Sequence, residues 1–231
     1  MKNILLAIII LLIFLSLVKD KMVTYDYIDN FLEVNKYDEL KEYKKLFFKK
    51  LKEEKNLLNT LGFKNTKNIT YYFDLDYLYE MRDKDILFNT IANIFDKSPE
   101  EGNYIIANFL EVDPSIKEYS PALHYDSTVC KFLKCDEDEG EINPEAVGVL
   151  YLNVPKCMKG GELVVVGNYN QSIKHKPKNN RLLYFNGKYK HGVKGYSMNK
   201  CKADKRLSLV VEIYDLNGYQ MSILPKIHVD I

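Results

Sequence analysis

The chain contains four histidines, His124, His175, His191 and His228, and few arrangements in which they could do chemistry. His124 and Asp126 stand two apart in the stretch Leu123-His124-Tyr125-Asp126. On an extended segment, residues two apart project from the same side, so this imidazole and this carboxylate can approach one metal ion. A second histidine from a distant strand would complete a two-histidine, one-carboxylate face. That face leaves coordination positions open and suits non-haem iron(II) oxygen chemistry. A closed structural zinc site would ask for four ligands, usually including thiolates. The four cysteines, Cys130, Cys135, Cys157 and Cys201, include no Cys-x-x-Cys pair. Being even in number, they can form disulfides in an oxidising lumen or stay as thiols in the cytosol. A second His-x-Asp, His228-Val229-Asp230, has no histidine after it and reads as an exposed tail.

The elements that must position such a site fall into regions. Residues 22–102 read as a mostly helical N-terminal region. Leu40, Phe47 and Leu51 recur at helical spacing, which predicts a long amphipathic helix over Tyr37 to Leu58. Leu87, Ile91 and Phe95 predict a second helix, with Asp83 or Asp85 as its cap. From residue 103 to 216 the pattern changes to short apolar and β-branched runs between turn signals. The runs are Tyr104–Val112, Val147–Val154, Glu162–Gly167, Arg181–Asn186 and Arg206–Tyr214. Gly160-Gly161 and Asn186-Gly187 punctuate them. Several short strands with turns predict an antiparallel sandwich or jelly roll. Asn168 to Asn180, Lys194 to Lys205 and the acidic Asp136 to Glu141 read as solvated loops, and 217–231 as a C-terminal tail.

Ile4 to Val18 is a fifteen-residue apolar run broken only by Ser16 and flanked by Lys2, Lys19 and Lys21. No small-x-small cleavage site follows it. Residues 1–21 therefore read as a signal-anchor or transmembrane segment. The whole chain of 231 residues carries a formal charge of +1, and without residues 1–21 it carries −1. A neutral domain offers no field that would collect nucleic acid. With 46% hydrophobic and 28% charged residues, the composition is that of a globular protein.

Five pieces recur in order after His124. They are His124-x-Asp126, the strand Val147 to Asn153 ending in Tyr-Leu-Asn, Gly160-Gly161-Glu162-Leu163, His191-Gly192-Val193, and Arg206-Leu207-Ser208-Leu209. This order resembles the 2-oxoglutarate/iron(II)-dependent dioxygenases, particularly their prolyl 4-hydroxylase-like branch, over residues 104–214. The resemblance implies an α+β fold: a double-stranded β-helix (jelly-roll) core with N-terminal helices packed on it. It implies that His124, Asp126 and His191 hold Fe(2+) and that Arg206 binds the distal carboxylate of 2-oxoglutarate. Ser208, on the same strand face, and Tyr119, just before the His-x-Asp segment, are further candidates for the co-substrate. The implied chemistry turns 2-oxoglutarate into succinate and carbon dioxide while a C–H bond becomes C–OH, with ascorbate as a possible reductant.

Asp126 itself argues for hydroxylation, because halogenating relatives lack this carboxylate. Glu212 stands where nucleic-acid demethylating relatives carry a second arginine. The expected substrate is a prolyl or lysyl side chain of a protein or peptide, in the endoplasmic reticulum and secretory pathway or in a viral or cell envelope. A small-molecule oxygenase and a non-catalytic, membrane-anchored β-sandwich binding protein are the competing readings.

Overall fold

A computed structural model describes residues 25–53, 66–112, 123–133, 135, 142–167, 171–197 and 205–230. Three of the predicted strands, Tyr104–Val112, Arg181–Asn186 and Arg206–Tyr214, occur with the bounds expected, and a fourth, expected at Val147–Val154, is displaced by one residue. In β8 (Arg181–Asn186), Leu182 and Tyr184 point to one face while Leu183 and Phe185 point to the other, and all four are buried. In β4 (Ala146–Asn153), Ala146, Leu150 and Leu152 alternate with Val147, Val149 and Tyr151 in the same way. A strand covered on both faces reads as an unbroken apolar run instead of an alternating one. That is the run seen in the sequence.

These strands sit inside a seven-stranded antiparallel sheet. With β1 (Tyr25–Asp29), β2 (Thr66–Asp74), β3 (Tyr104–Val112), β11 (Arg206–Tyr214) and β12 (Ile227–Asp230), its order is β1-β8-β4-β11-β3-β2-β12. One face packs on helices. α1 (Val34–Glu53) contributes Leu40, α2 (Leu75–Met81) contributes Leu78, and α3 (Ile86–Phe95) contributes Leu87, Ile91 and Ile94. Asp85 caps α3 by accepting from the Leu87 N–H at 2.7 Å. The other face packs on a three-stranded sheet, β7-β6-β9, formed by Ser172–His175, Leu163–Val166 and Lys190–Val193. A short ribbon pairs β5 (Lys159–Gly160) with β10 (Tyr196–Ser197). Leu163 and Val165 meet Val147, Val149, Leu183 and Phe185 between the sheets. Two facing antiparallel sheets with helices outside agree with a jelly-roll oxygenase fold.

Several expectations are corrected. The region expected to be mostly helical supplies two strands of the main sheet, β1 and β2. Residues 66–74, rich in β-branched and aromatic residues, bury Ile69, Tyr71 and Phe73 on the helix side. Their other face, with Asn68, Thr70 and Tyr72, turns inward. The loop expected at 168–180 contains β7, and that at 194–205 contains β10. The expected tail forms α5 (Gly218–Ile223), closed by an Asn217–Gln220 capping box, and then edge strand β12. His228 is not loose. It pairs in register with Tyr72 and packs its ring on Tyr72 and Phe132, at 5.6 and 5.5 Å between centroids. The apolar run 4–18, Tyr119 and the acidic segment 136–141 lie outside the described residues. Among the described residues no helix is long and apolar enough to cross a membrane. Cys130 and Cys135 form a disulfide that closes the short helix α4 (Cys130–Leu133), and Cys157 is disulfide-bonded as well.

Candidate metal centre and anion pocket

Strand pairing brings the metal-binding candidates together. His124 and His191 form an isolated antiparallel bridge, each N–H donating to the other's carbonyl at 3.0 and 2.9 Å. The bridge extends the smaller sheet beyond β9 by one residue pair and stacks the two imidazoles, with centroids 4.6 Å apart. Asp126, two residues on, faces both rings. Its Oδ1 lies 3.6 Å from His124 Nε2 and its Oδ2 3.3 Å from His191 Nε2. Ligand atoms of all three residues lie within 4.8 Å of one another, and no other such cluster occurs among the described residues.

The surroundings orient these ligands. His191 Nδ1 lies 3.3 Å from the Tyr189 carbonyl oxygen, an acceptor that favours a proton on Nδ1 and turns Nε2 toward Asp126, where a metal would sit. Phe185 packs on the His191 ring at 4.7 Å. Burial by itself would raise the Asp126 carboxyl. The hydrogen bonds and charges of His124 and His191 outweigh it and hold the group well below the usual carboxylate range. Two imidazoles and one carboxylate on one side of a cavity, with the remaining side open, form a donor set that suits non-haem iron(II).

Behind the triad lies a cavity of about 500 Å³ between the two sheets. Its floor comes from alternate residues of β11: Arg206, Ser208, Val210 and Glu212 line it, while Leu207, Leu209, Val211 and Ile213 enter the core under the helices. Arg206 and Ser208, both predicted from the sequence, are buried at 5% and 4% exposure. The Arg206 guanidinium lies between the Tyr151 and Tyr196 rings, 5.5 and 5.9 Å from their centroids, and donates to the Gly161 carbonyl at 3.2 Å. No carboxylate among the described residues pairs with it. A buried cation of this kind is a site for an anion.

The Gly160-Gly161 turn makes this cradle possible. Both residues have positive φ, and a Cβ on Gly161 would come within 3.3 Å of Arg206 Nη1.

Sequence reasoning missed three participants. Tyr151 belongs to a strand whose apolar character reads as core. Its hydroxyl is nevertheless buried without a hydrogen-bond partner and stands beside Arg206. Burial pushes that phenol above its ordinary pKa, so it stays a neutral donor. Thr128 and Tyr214 brace the metal arm. The Thr128 hydroxyl donates to Glu212 Oε1 at 3.1 Å, the Tyr214 hydroxyl to Glu212 Oε2 at 2.6 Å, and the Thr128 N–H to the Tyr214 oxygen at 3.2 Å. Burial, with the nearby Asp126 charge, pushes Glu212 up to about 8. No local spacing links residue 128 to 212. Only the fold reveals the network.

No protein-family model matches the sequence, and neither does any curated protein. Comparison of the fold gives a consistent answer. A prolyl-4-hydroxylase from Pseudomonas putida superposes with a TM-score of 0.50 at 16% identity, over 85% of this chain and 95% of that one. A prolyl hydroxylase from Trichoplax adhaerens, in complex with a hypoxia-inducible-factor oxygen-degradation-domain peptide, matches at TM-score 0.50 and 16% identity over 87% of each chain. A prolyl 4-hydroxylase from Phytophthora capsici matches at TM-score 0.51 and 15% identity, over 87% of this chain and 66% of that one. The chain thus shares the fold of prolyl 4-hydroxylases and carries a His-Asp-His cluster able to hold a metal.

Proposed function

We propose that this protein is an iron(II)- and 2-oxoglutarate-dependent dioxygenase that hydroxylates a prolyl side chain of a protein or peptide. The observation that carries the reading is a pairing within one cavity: an open two-histidine, one-carboxylate face and, behind it, a buried arginine with no acidic partner. A metal alone would not explain Arg206, and an anion alone would not explain the triad. A dicarboxylate co-substrate held by both explains the two together.

The geometry supports the following roles. His124, Asp126 and His191 would hold Fe(2+) through the two Nε2 atoms and the carboxylate. The guanidinium fork of Arg206 binds the distal carboxylate of 2-oxoglutarate. The Tyr151 and Ser208 hydroxyls stand on the same floor to donate further bonds. When bound, iron(II) with dioxygen supplies the oxidation in which 2-oxoglutarate becomes succinate and carbon dioxide, one oxygen atom entering the substrate C–H bond. The two sheets wall this space, and Phe185 packs on the His191 ring within it. Ascorbate would serve only to keep the metal reduced.

The peptide held by the Trichoplax protein supports a peptide substrate here. The disulfide at Cys130–Cys135 and the bonded Cys157 suit an oxidising compartment of the secretory pathway or an envelope. Residues 4–18 would tether the domain there, a reading supported by their apolar sequence alone.

The test is succinate formation from 2-oxoglutarate by the purified chain with iron(II) and ascorbate, against proline- and lysine-containing peptides. Asp126→Ala and His124→Ala should abolish turnover. His228→Ala, which removes a ring stacked on Tyr72 away from the cavity, should leave turnover unchanged. Equal loss in the His228 variant would reject the assignment.

A further inference from the structure

The triad, Arg206, Ser208 and Tyr151 account for part of the cavity. The floor beyond β11 is a polar strip that none of them explains: Asn68 and Thr70 of β2 and Asn108 of β3. Register fixes their places. Asn108 is paired with Thr70 on one side and with Val210, midway between Ser208 and Glu212, on the other. Asn68 Nδ2 approaches Thr70 Oγ1 at 3.5 Å. Asn108 Oδ1 is buried and has no hydrogen-bond partner. Buried acceptors are nearly always satisfied, so an orphan on a cavity wall points to a donor on whatever fills the cavity.

The charge of the surroundings narrows that donor. Asn108, Asn68 and Thr70 are neutral. The acid of the β11 row, Glu212, already accepts one hydrogen bond on each oxygen, from Thr128 and Tyr214, so an ammonium group would compete with both. A substrate carboxylate would meet another acceptor at Asn108. The group that matches a side-chain amide beside a hydroxyl is a second amide, which presents one N–H and one carbonyl.

We propose that Asn108, backed by Thr70, binds the main-chain amide next to the target proline of a peptide substrate, with Asn108 Oδ1 accepting the substrate N–H. This rests on the dioxygenase reading above and narrows it: the site recognises neutral peptide backbone and favours a prolyl over a lysyl target.

The experiment uses two small probes that differ in one group, acetyl-proline N-methylamide and acetyl-proline methyl ester, which lacks the N–H. Each is titrated against the full chain loaded with Mn(II) and 2-oxoglutarate. Binding is read from paramagnetic relaxation of the probe's methyl protons. The wild-type chain should bind the amide about tenfold more tightly than the ester, the loss of one buried hydrogen bond. Asn108→Ala should bind both equally. Asn108→Asp, which keeps an acceptor oxygen, should retain the preference for the amide. If the alanine variant does not fold, Asn108→Val is the second truncation, since a β-branched residue suits an inner strand.

Equal binding of the two probes to the wild type, or a preference that survives truncation at Asn108, would overturn the proposal. Failure of the wild type to bind Mn(II) and 2-oxoglutarate would remove the dioxygenase reading and this one with it. Retention of both ligands without amide preference removes this one alone.

Discussion

At the scale of single residues, Arg206 is a buried cation with no acidic partner among the described residues. Its guanidinium is buried between Tyr151 and Tyr196 with a single carbonyl acceptor, and removing such a charge can leave a protein as stable or more stable. Arg206→Met should therefore divide two properties that usually fall together. The KM for 2-oxoglutarate should rise about 30- to 100-fold, from a loss of roughly 2–3 kcal/mol of charge-assisted hydrogen bonding. The melting temperature of the ligand-free protein should hold or increase. Steady-state kinetics and a thermal melt of the same preparation check both, and a fall in stability with unchanged KM would make Arg206 a structural residue. Arg206 and Ser208 are candidates from the sequence because Arg206-Leu207-Ser208-Leu209 is one of the pieces that carry the family resemblance. Tyr151 is not, because a tyrosine among Val, Leu and Leu is indistinguishable from core until its hydroxyl is seen without a partner.

Elements place these residues, and their ends are where the fold is most sensitive. The Gly160-Gly161 turn holds the carbonyl that Arg206 uses, at φ values of 82° and 77°. Gly161→Ala should cost about 1 kcal/mol of stability through its positive φ and also raise the KM for 2-oxoglutarate, since the new methyl crowds Arg206. Denaturant titration and kinetics together test this; a stability loss with normal KM would separate the turn from the pocket.

At the far edge of the main sheet, Asp29 of β1 accepts from Arg181 through its Nε and Nη2 and from Lys178 Nζ at 2.8 Å. The hydrogen bonds from Arg181 first, and then from Lys178, hold the Asp29 carboxyl well below its ordinary range. A depressed carboxylate stabilises the fold above its unfolded pKa of 3.8 and loses that contribution as pH falls below it. Asp29→Asn should thus lower the melting temperature at pH 6 and flatten its decline between pH 4 and about pH 2. Parallel acid melts of wild type and variant would contradict this.

The central strands were legible because burial on both faces leaves a continuous apolar run. β2 was not, because its cavity-facing residues Asn68 and Thr70 alternate with the core residues Ile69 and Tyr71 and leave no continuous apolar run. A polar wall and a helix-rich neighbourhood together concealed a strand.

For the whole molecule, the question is whether the N-terminal region folds apart from the β-rich remainder. The sequence divides them at residue 102, yet β1, β2 and β12 hydrogen-bond into one sheet with β3, β4, β8 and β11. Asn180, at φ 55° just before β8, ties the segment before α1 to the sheet. Its Oδ1 accepts from the Leu32 N–H at 2.9 Å, its Nδ2 donates to the Leu32 carbonyl at 2.7 Å, and its carbonyl accepts from the Phe31 N–H at 3.0 Å. Both side-chain bonds are buried, so truncation leaves two main-chain groups unsatisfied. Asn180→Ala should cost about 2–4 kcal/mol, from those two bonds and a strained left-handed backbone. Asn180→Gly, which removes the strain alone, should recover about 1 kcal/mol of it. Because the shared sheet couples the regions, calorimetry should show one cooperative transition in the wild type and in both variants, shifted to lower temperature as a unit. Two resolved transitions, with only the first moved by Asn180→Ala, would show that residues before 103 form their own folding unit despite the sheet they complete.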